Sequence, residues 1–203
     1  MDYCEISLRK NGHAPQVVGV QNEHRHPKEL LHPMVKTLRD RLDEAGFEKT
    51  EIHTANQSTV RSGIEEIPKY KEDPGVWDAA GYAATHMYDF QEHFYNLDGF
   101  DETLLAWRQA IGSKPFLAVE ICINRPQFQL PSYRSALVMG ELYHKVLTIE
   151  DARAMACCWT LVNIVEPSFG WTRTLCVVWT KAKDFCPFQR LTSFAYSGPI
   201  LAE

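Results

Sequence analysis

Short apolar runs alternate with amphipathic stretches along most of this chain. Short apolar runs are typical of buried parallel strands, whereas an apolar residue every three or four positions is typical of a helix that covers a sheet. We predict strands at about residues 15–20, 50–54, 81–88, 115–123 and 156–165. The predicted helices cover about residues 2–10, 27–45, 59–70, 75–80, 101–111, 132–146 and 148–154. This alternation predicts an α/β fold made of successive strand–helix units.

The strand count sets the expected architecture. A closed barrel of parallel strands and helices has eight strands, and the pattern here yields five. We therefore expect a partial (β/α)8 TIM barrel. Its predicted domain covers residues 1–175, and residues 176–203, where the helical periodicity is lost, form an irregular C-terminal tail.

Composition and charge narrow the classes of partner. With 45% hydrophobic residues, the 203-residue chain has the apolar content for one good core. The net charge of -5, with the basic residues scattered, argues against a nucleic-acid partner. No apolar stretch is long enough to span a bilayer, so no membrane span is expected. Charged residues stand where a signal peptide needs an apolar core, which makes the cytoplasm the default location unless an upstream signal is missing.

Two acidic residues stand out at the ends of predicted strands. Glu23 follows the run at 15–20, and Glu120 lies within the apolar segment PFLAVEICI. A buried carboxylate is costly, so its presence in such a strand indicates a function. In barrels the carboxyl ends of the strands form the active-site face. Two acids about 5 Å apart on that face are what a retaining glycosidase requires.

Four segments together resemble a known family. VVGVQNE resembles strand four of the clan of (β/α)8 retaining glycoside hydrolases, and its Gln-Asn-Glu is most like glycoside hydrolase family 30. THMYDF, FLAVEICIN and CCWTLV resemble strands six, seven and eight of the same clan, in the same order and with similar spacing. The resemblance implies that the chain covers about strands 4 to 8 of the catalytic barrel.

The resemblance also implies a mechanism and a set of site residues. It makes Glu23 the general acid/base and Glu120 the nucleophile of a double displacement, with carbohydrate as the substrate and without a cofactor or metal. The residues that it implies for binding the sugar or orienting the nucleophile are Asn22, His86, Tyr88 and Trp159. Asn22 would hold the 2-hydroxyl group, and Trp159 would form a stacking floor under the sugar ring.

Each candidate also has a purely structural interpretation. Glu120 could pair with a nearby Lys or Arg, and Glu23 could cap the following helix or lie at its positive end. His86 could be a hydrogen-bonded core residue, and Trp159 could serve packing alone. The sequence also departs from the family pattern, because His24 stands where a Pro commonly follows Asn-Glu and no counterpart of strands one to three is found.

Two alternative functions remain open. The chain could be a catalytically inactive barrel remnant that binds carbohydrate weakly, or a different (β/α)8 enzyme that uses the two glutamates for proton transfer. Five strands of an eight-stranded barrel leave two open edges, so self-association through these edges is also possible.

Overall fold

Five parallel strands, adjacent in chain order, form one curled sheet with flanking helices, which is a partial (β/α)8 barrel. The fold was obtained as a computed structural model. It describes residues 2–123, 125, 128, 133–157, 161–163, 176–178, 180–181, 184–185 and 189–190.

The strands of the half-barrel are β1 Val17–Gly19, β2 Glu51–Ala55, β3 Tyr82–His86, β4 Phe116–Ile121 and β5 Ala152–Cys157. The helices are α1 Asp2–Asn11, α2 Lys28–Glu44, α3 Val60–Lys71, α4 Pro74–Ala79, α5 Asp101–Ile111 and α6 Tyr133–Thr148. Two 3₁₀ helices, Tyr88–His93 and Leu97–Phe100, follow β3.

Among the residues described after β5 are five short strands: β6 Leu161–Asn163, β7 Cys176–Val178, β8 Thr180–Lys181, β9 Asp184–Phe185 and β10 Gln189–Arg190. β7 pairs with β6 in parallel and with β10 antiparallel, and β8 pairs with β9 antiparallel. The predicted boundary at residues 175 and 176 between a catalytic domain and a tail stays a prediction.

The main core lies between the sheet and the helices α3, α5 and α6. Trp107 of α5 is fully buried and packs edge to face on Phe116 of β4, with ring centroids 5.3 Å apart. Gly63 brings α3 unusually close to the sheet, because a Cβ there would lie 2.9 Å from both Thr85 Oγ1 and the Trp107 ring. The helix layer therefore holds β3 and β4 in place from one side.

Irregular pairing at the carboxyl ends of the strands alters which residues stand opposite each other. The register of β3 and β4 shifts between Thr85 and His86, so that His86 pairs with Glu120. A second shift affects β4 and β5 between Ala118 and Ile121. Such bulges re-aim side chains at the rims of barrels, next to active sites.

The first four predicted strands and the first six predicted helices occur close to where the pattern indicates them. The last unit differs. The predicted helix at 148–154 is wrong, because α6 continues to Thr148 and β5 begins at Ala152, earlier than the predicted 156–165. Glu, Ala and Met favour a helix in that segment, yet a left-handed residue, Asp151 with φ 52°, turns the chain so that Ala152 pairs with Phe116. Tertiary pairing overrides local propensity here.

The outer strands β1 and β5 each have one partner strand among the described residues. Self-association through these edges stays a prediction. None of the helices in the described ranges is long and apolar enough to cross a membrane.

Glu150 gives the fold a testable pH dependence. It lies just before β5 with no exposed surface, and neither of its carboxylate oxygens has a hydrogen-bond partner among the described residues. Burial, reinforced by the charge of Asp89, raises the pKa of Glu150 well above its usual value of 4.5. Between the unfolded and the folded pKa only the folded state keeps the proton, so the free energy of unfolding falls as the pH rises.

We expect the free energy of unfolding of the wild type to fall above about pH 4.5 with a contribution of about 1.4 kcal/mol per pH unit. Glu150→Gln should lack this contribution, so the variant should be the more stable protein at pH 7 and lose that advantage below pH 4. Urea unfolding across this pH range measures the effect. Glu48→Gln, at an exposed position, is the matched control. Parallel pH profiles for wild type and Glu150→Gln would contradict the assignment.

Candidate active site

Three titratable side chains meet at the carboxyl end of the sheet. Glu23 follows β1, His86 ends β3, and Glu120 lies near the end of β4. Because the strands are parallel, their carboxyl ends lie at the same edge of the sheet. The folded chain thus brings together residues that are up to 97 positions apart in sequence.

His86 lies between the two carboxylates. Its Nδ1 is 2.7 Å from Glu23 Oε1, and its Nε2 is 3.5 Å from Glu120 Oε2. The His86 side chain is 1% exposed, whereas Glu23 and Glu120 keep 39% and 23% of their side-chain surface exposed. The site therefore has a buried imidazole as its floor and two carboxylates that solvent or a ligand can reach.

Tyr88 fixes the other oxygen of Glu120. Its hydroxyl donates a hydrogen bond to Glu120 Oε1, and the Cys122 thiol lies 3.6 Å from the same hydroxyl. Burial, followed by the hydrogen bond to Glu120, raises the pKa of Tyr88 far above its usual value. The phenol thus remains a hydrogen-bond donor, and the two oxygens of Glu120 have different surroundings.

A residue that follows β2 holds Asn22 in place. Asn56, which directly follows β2, donates from Nδ2 to Asn22 Oδ1 at 3.1 Å and to the carbonyl oxygen of Gln21 at 3.0 Å. Gln57 Nε2 donates to the carbonyl oxygen of His24 at 3.1 Å. Asn56 and Gln57 were not predicted as site residues. A signal was present, because the polar pair follows an apolar strand just as Gln21-Asn22-Glu23 does.

Glu23 has a left-handed backbone, with φ 59°. Its N–H donates to the carbonyl oxygen of Asn56 at 2.9 Å, which helps hold this conformation. Side chains with a Cβ rarely adopt such angles, and residues held there concentrate at functional sites.

His53 of β2 extends the polar face beside the site. A Cβ on Gly19 would lie 2.1 Å from the His53 ring, so this close approach requires glycine in β1. Burial lowers the pKa of His53, and the charge of His86 lowers it further. His53 was not predicted as a site residue.

The contacts of Glu23 and Glu120 differ from those expected for a surface ion pair or a helix cap. Within the described residues, neither Glu23 nor Glu120 forms an ion pair with Lys or Arg, and the cation beside them is the imidazole of His86 when it is protonated. α2 begins at Lys28, after Pro27, without a side-chain cap, so Glu23 does not cap it. His86 is buried as a core histidine would be, but its partners are the two acids.

The same three residues form the one group in the described part of the chain whose atoms could hold a metal ion, since their ligand atoms lie within 4.8 Å of one another. The two ring nitrogens of His86, however, face different carboxylates. His86 is hydrogen-bonded to Glu23 and lies at ion-pair distance from Glu120, an arrangement that favours a bridging imidazole over a shared metal ligand set. Trp159, the predicted stacking floor, lies outside the described residues.

Comparison with known proteins gives structural but no sequence matches. No family model matches the chain, and no curated protein matches it either. SrfJ from Salmonella typhimurium is similar over 95% of this chain and 43% of its own, with a TM-score of 0.66 and 17% identity. A conserved exported protein from Bacteroides fragilis is similar over 96% of this chain and 48% of its own, with a TM-score of 0.69 and 15% identity.

A third similar structure is that of an enzyme. A GH30 endoxylanase from Clostridium papyrosolvens C71 is similar over 76% of this chain and 39% of its own, with a TM-score of 0.50 and 12% identity. At these identities the similarity shows a shared fold. The chain spans less than half the length of each of the three proteins.

The left-handed backbone of Glu23 leads to a stability test that needs no activity. Glu23→Ala and Glu23→Gly both remove the carboxylate, but only glycine adopts a positive φ without steric cost. We expect the glycine variant to be more stable than the alanine variant by about 1 kcal/mol. Thermal or urea unfolding of the two proteins measures the difference.

The same pair of substitutions at Glu48, which is exposed and outside the positive-φ residues, should give the usual opposite order, with alanine more stable. An alanine variant at position 23 that matches or exceeds the glycine variant would show that this backbone is not strained.

Proposed function

We propose that this chain carries the catalytic half of a glycoside hydrolase of the family 30 type, which cleaves O-glycosidic bonds by a retaining double displacement. Glu120 is the nucleophile and Glu23 the general acid/base. The observation that carries the proposal is the meeting of the two acids at one end of a parallel half-barrel, with carboxylate oxygens within 4.8 Å of each other.

The separation of the acids bears on the stereochemical course. Retaining glycosidases place their carboxyl groups about 5–5.5 Å apart, whereas inverting enzymes need about 6.5–9.5 Å to admit a water molecule between acid and sugar. The spacing of Glu23 and Glu120 supports direct attack by a carboxylate.

Tyr88 and His86 give the two glutamates different tasks. The Tyr88 hydroxyl occupies Oε1 of Glu120, which leaves Oε2 as the attacking oxygen. Glu23 is the more exposed acid and lies in a loop rather than within a strand, as suits a group that reaches the leaving oxygen. His86 contacts both acids and can hold each carboxylate in its own orientation.

The reaction then proceeds in two balanced steps. Glu120 forms a bond to the anomeric carbon while the glycosidic bond breaks, and the leaving oxygen takes the proton of Glu23. A water molecule next attacks the anomeric carbon, gives its proton to Glu23 and releases Glu120. Asn22 donates to the 2-hydroxyl group, and Trp159 supplies the apolar platform for the sugar ring. These two roles, like the catalytic ones, belong to the proposal.

The structural relatives support the carbohydrate substrate class. One of them is named as a GH30 endoxylanase.

A second candidate is a barrel fragment that binds carbohydrate without cleaving it. The observation in its favour is that the described sheet has five parallel strands, where a closed barrel has eight. Missing strands would take with them part of the substrate-binding surface. Hydrolysis assays separate the two candidates.

The decisive measurement is hydrolysis of a panel of aryl β-glycosides by the purified chain and by Glu120→Gln. We expect Glu120→Gln to reduce kcat to background, because an amide cannot act as the nucleophile. Glu23→Gln should lower kcat by about 10²–10⁴-fold, and least for substrates whose leaving group needs no proton. Glu48→Gln is the control for a neutralised exposed glutamate.

Proton NMR of the first product formed should show the anomer of the substrate, as retention requires. Equal cleavage by wild type and Glu120→Gln, or a product of inverted configuration, would overturn the proposed mechanism. Sugar binding by wild type without any cleavage would support the second candidate.

A further inference from the structure

Asn56, the residue directly after β2, forms three hydrogen bonds to the segment of residues 21–23, which contains the proposed acid/base Glu23. We propose that Asn56 is a positioning residue: it orients the amide of Asn22 toward the sugar and holds the backbone of Glu23. The inference rests on the proposed function, because it assigns Asn22 the task of donating a hydrogen bond to the sugar 2-hydroxyl.

Four hydrogen bonds place Asn56 between neighbouring strand ends. Its Nδ2 donates to the carbonyl oxygen of Gln21 at 3.0 Å and to Asn22 Oδ1 at 3.1 Å. Its carbonyl oxygen accepts the N–H of Glu23 at 2.9 Å, and its own N–H donates to the carbonyl oxygen of Ala84 at 2.8 Å. Asn56 thus ties three consecutive residues after β1 to the frame formed by β2 and β3.

The carbonyl of Gln21 determines the orientation of both amides. A carbonyl oxygen only accepts, so the Asn56 atom that faces it must be the Nδ2 donor. The same Nδ2 group faces Asn22, so Asn22 must present its acceptor Oδ1. The Nδ2 group of Asn22 has no protein partner in the described part of the chain, and Asn22 is exposed. Asn22 is therefore left with a free donor for a ligand.

The backbone of Asn56 has an unfavourable conformation, which places its side chain beside Asn22. Ala55 and Asn56 both have left-handed angles, with φ 62° and 49°. Among residues with a side chain, asparagine tolerates this region best. The side-chain Oδ1 of Asn56 is buried without a hydrogen-bond partner among the described residues. A buried unpaired oxygen is unfavourable, so the value of the side chain lies in its Nδ2 group.

The test compares Asn56→Gly with Ala55→Gly. Both substitutions place glycine at a left-handed position, which the backbone accepts, and both keep the main-chain hydrogen bonds. Only Asn56→Gly removes the amide that faces Asn22. The substrates are the aryl glycoside that the wild type cleaves fastest and its 2-deoxy analogue, which lacks the hydroxyl group that Asn22 would bind.

We expect Asn56→Gly to lower kcat on the 2-hydroxy substrate by about 10- to 100-fold, with KM little changed, because bonds to this hydroxyl strengthen in the transition state. On the 2-deoxy substrate the same variant should match the wild type closely. Asn22→Ala should behave alike, and the double variant should lose no more than either single one. Ala55→Gly should retain wild-type kinetics on both substrates.

Asn56→Asp sharpens the test. It keeps the size of the side chain but removes the donor, so we expect it to show the same selective loss as Asn56→Gly. Equal losses on the 2-hydroxy and 2-deoxy substrates, or full activity of Asn56→Asp, would overturn the positioning role and leave a merely structural one.

A second readout separates failure of this inference from failure of the proposed function. If the wild type cleaves no glycoside, the proposed function fails for this chain, yet the orientation of Asn22 is still measurable. With ¹⁵N-labelled asparagine, the Asn22 side-chain amide should give a high heteronuclear NOE, typical of a rigid group, in wild type and Ala55→Gly. It should give a low one in Asn56→Gly. An Asn22 amide of unchanged rigidity in Asn56→Gly would overturn the inference.

Discussion

The pairing of β3 with β4 is the constraint on which the site depends. The two strands run parallel, and a register shift after Thr85 sets His86 opposite Glu120. Since side chains alternate between the faces of a strand, a shift by one residue decides which of them reach the site. The helix layer maintains this pairing through Trp107, which packs on Phe116 and leaves room beside it only for Gly63. The position of the imidazole between the two carboxylates is thus fixed by packing on the opposite face of the sheet.

Several unfavourable features lie at the same end of the sheet. Glu23, Ala55 and Asn56 have left-handed backbones, and Gln21 Oε1 and Asn56 Oδ1 are buried without partners among the described residues. The cluster between sheet and helices, by contrast, is made of apolar side chains. Strain at one end, held by a regular core, is the usual arrangement of a functional site on a stable frame. Others lie outside this region: Glu150 is buried without a hydrogen bond, Glu66 Oε1 and Trp107 Nε1 are buried without a partner among the described residues, and Asp151 has a positive φ.

The half-barrel accounts for the site residues that the structure describes without help from further strands. Glu23, His86, Tyr88 and Glu120 come from three of its five strands or the segments that follow them. The similar solved structures are more than twice as long as the regions that match this chain. The two acids and the residues that contact them therefore all lie within the half-barrel.

The sequence by itself determined the order of the first four strands and the first six helices, and the two acids at strand ends. Apolar periodicity reports which side of an element is buried, and a lone carboxylate in an apolar run is visible without a structure. Only the tertiary structure decided the start of β5, where pairing with Phe116 overrode a helical composition, and the roles of Asn56 and His53. The sequence predicts His86 as a residue that lines the site, and the structure places it between the two acids. The reason is physical: register shifts and left-handed turns arise from contacts between strands far apart in sequence, and local periodicity carries no record of them.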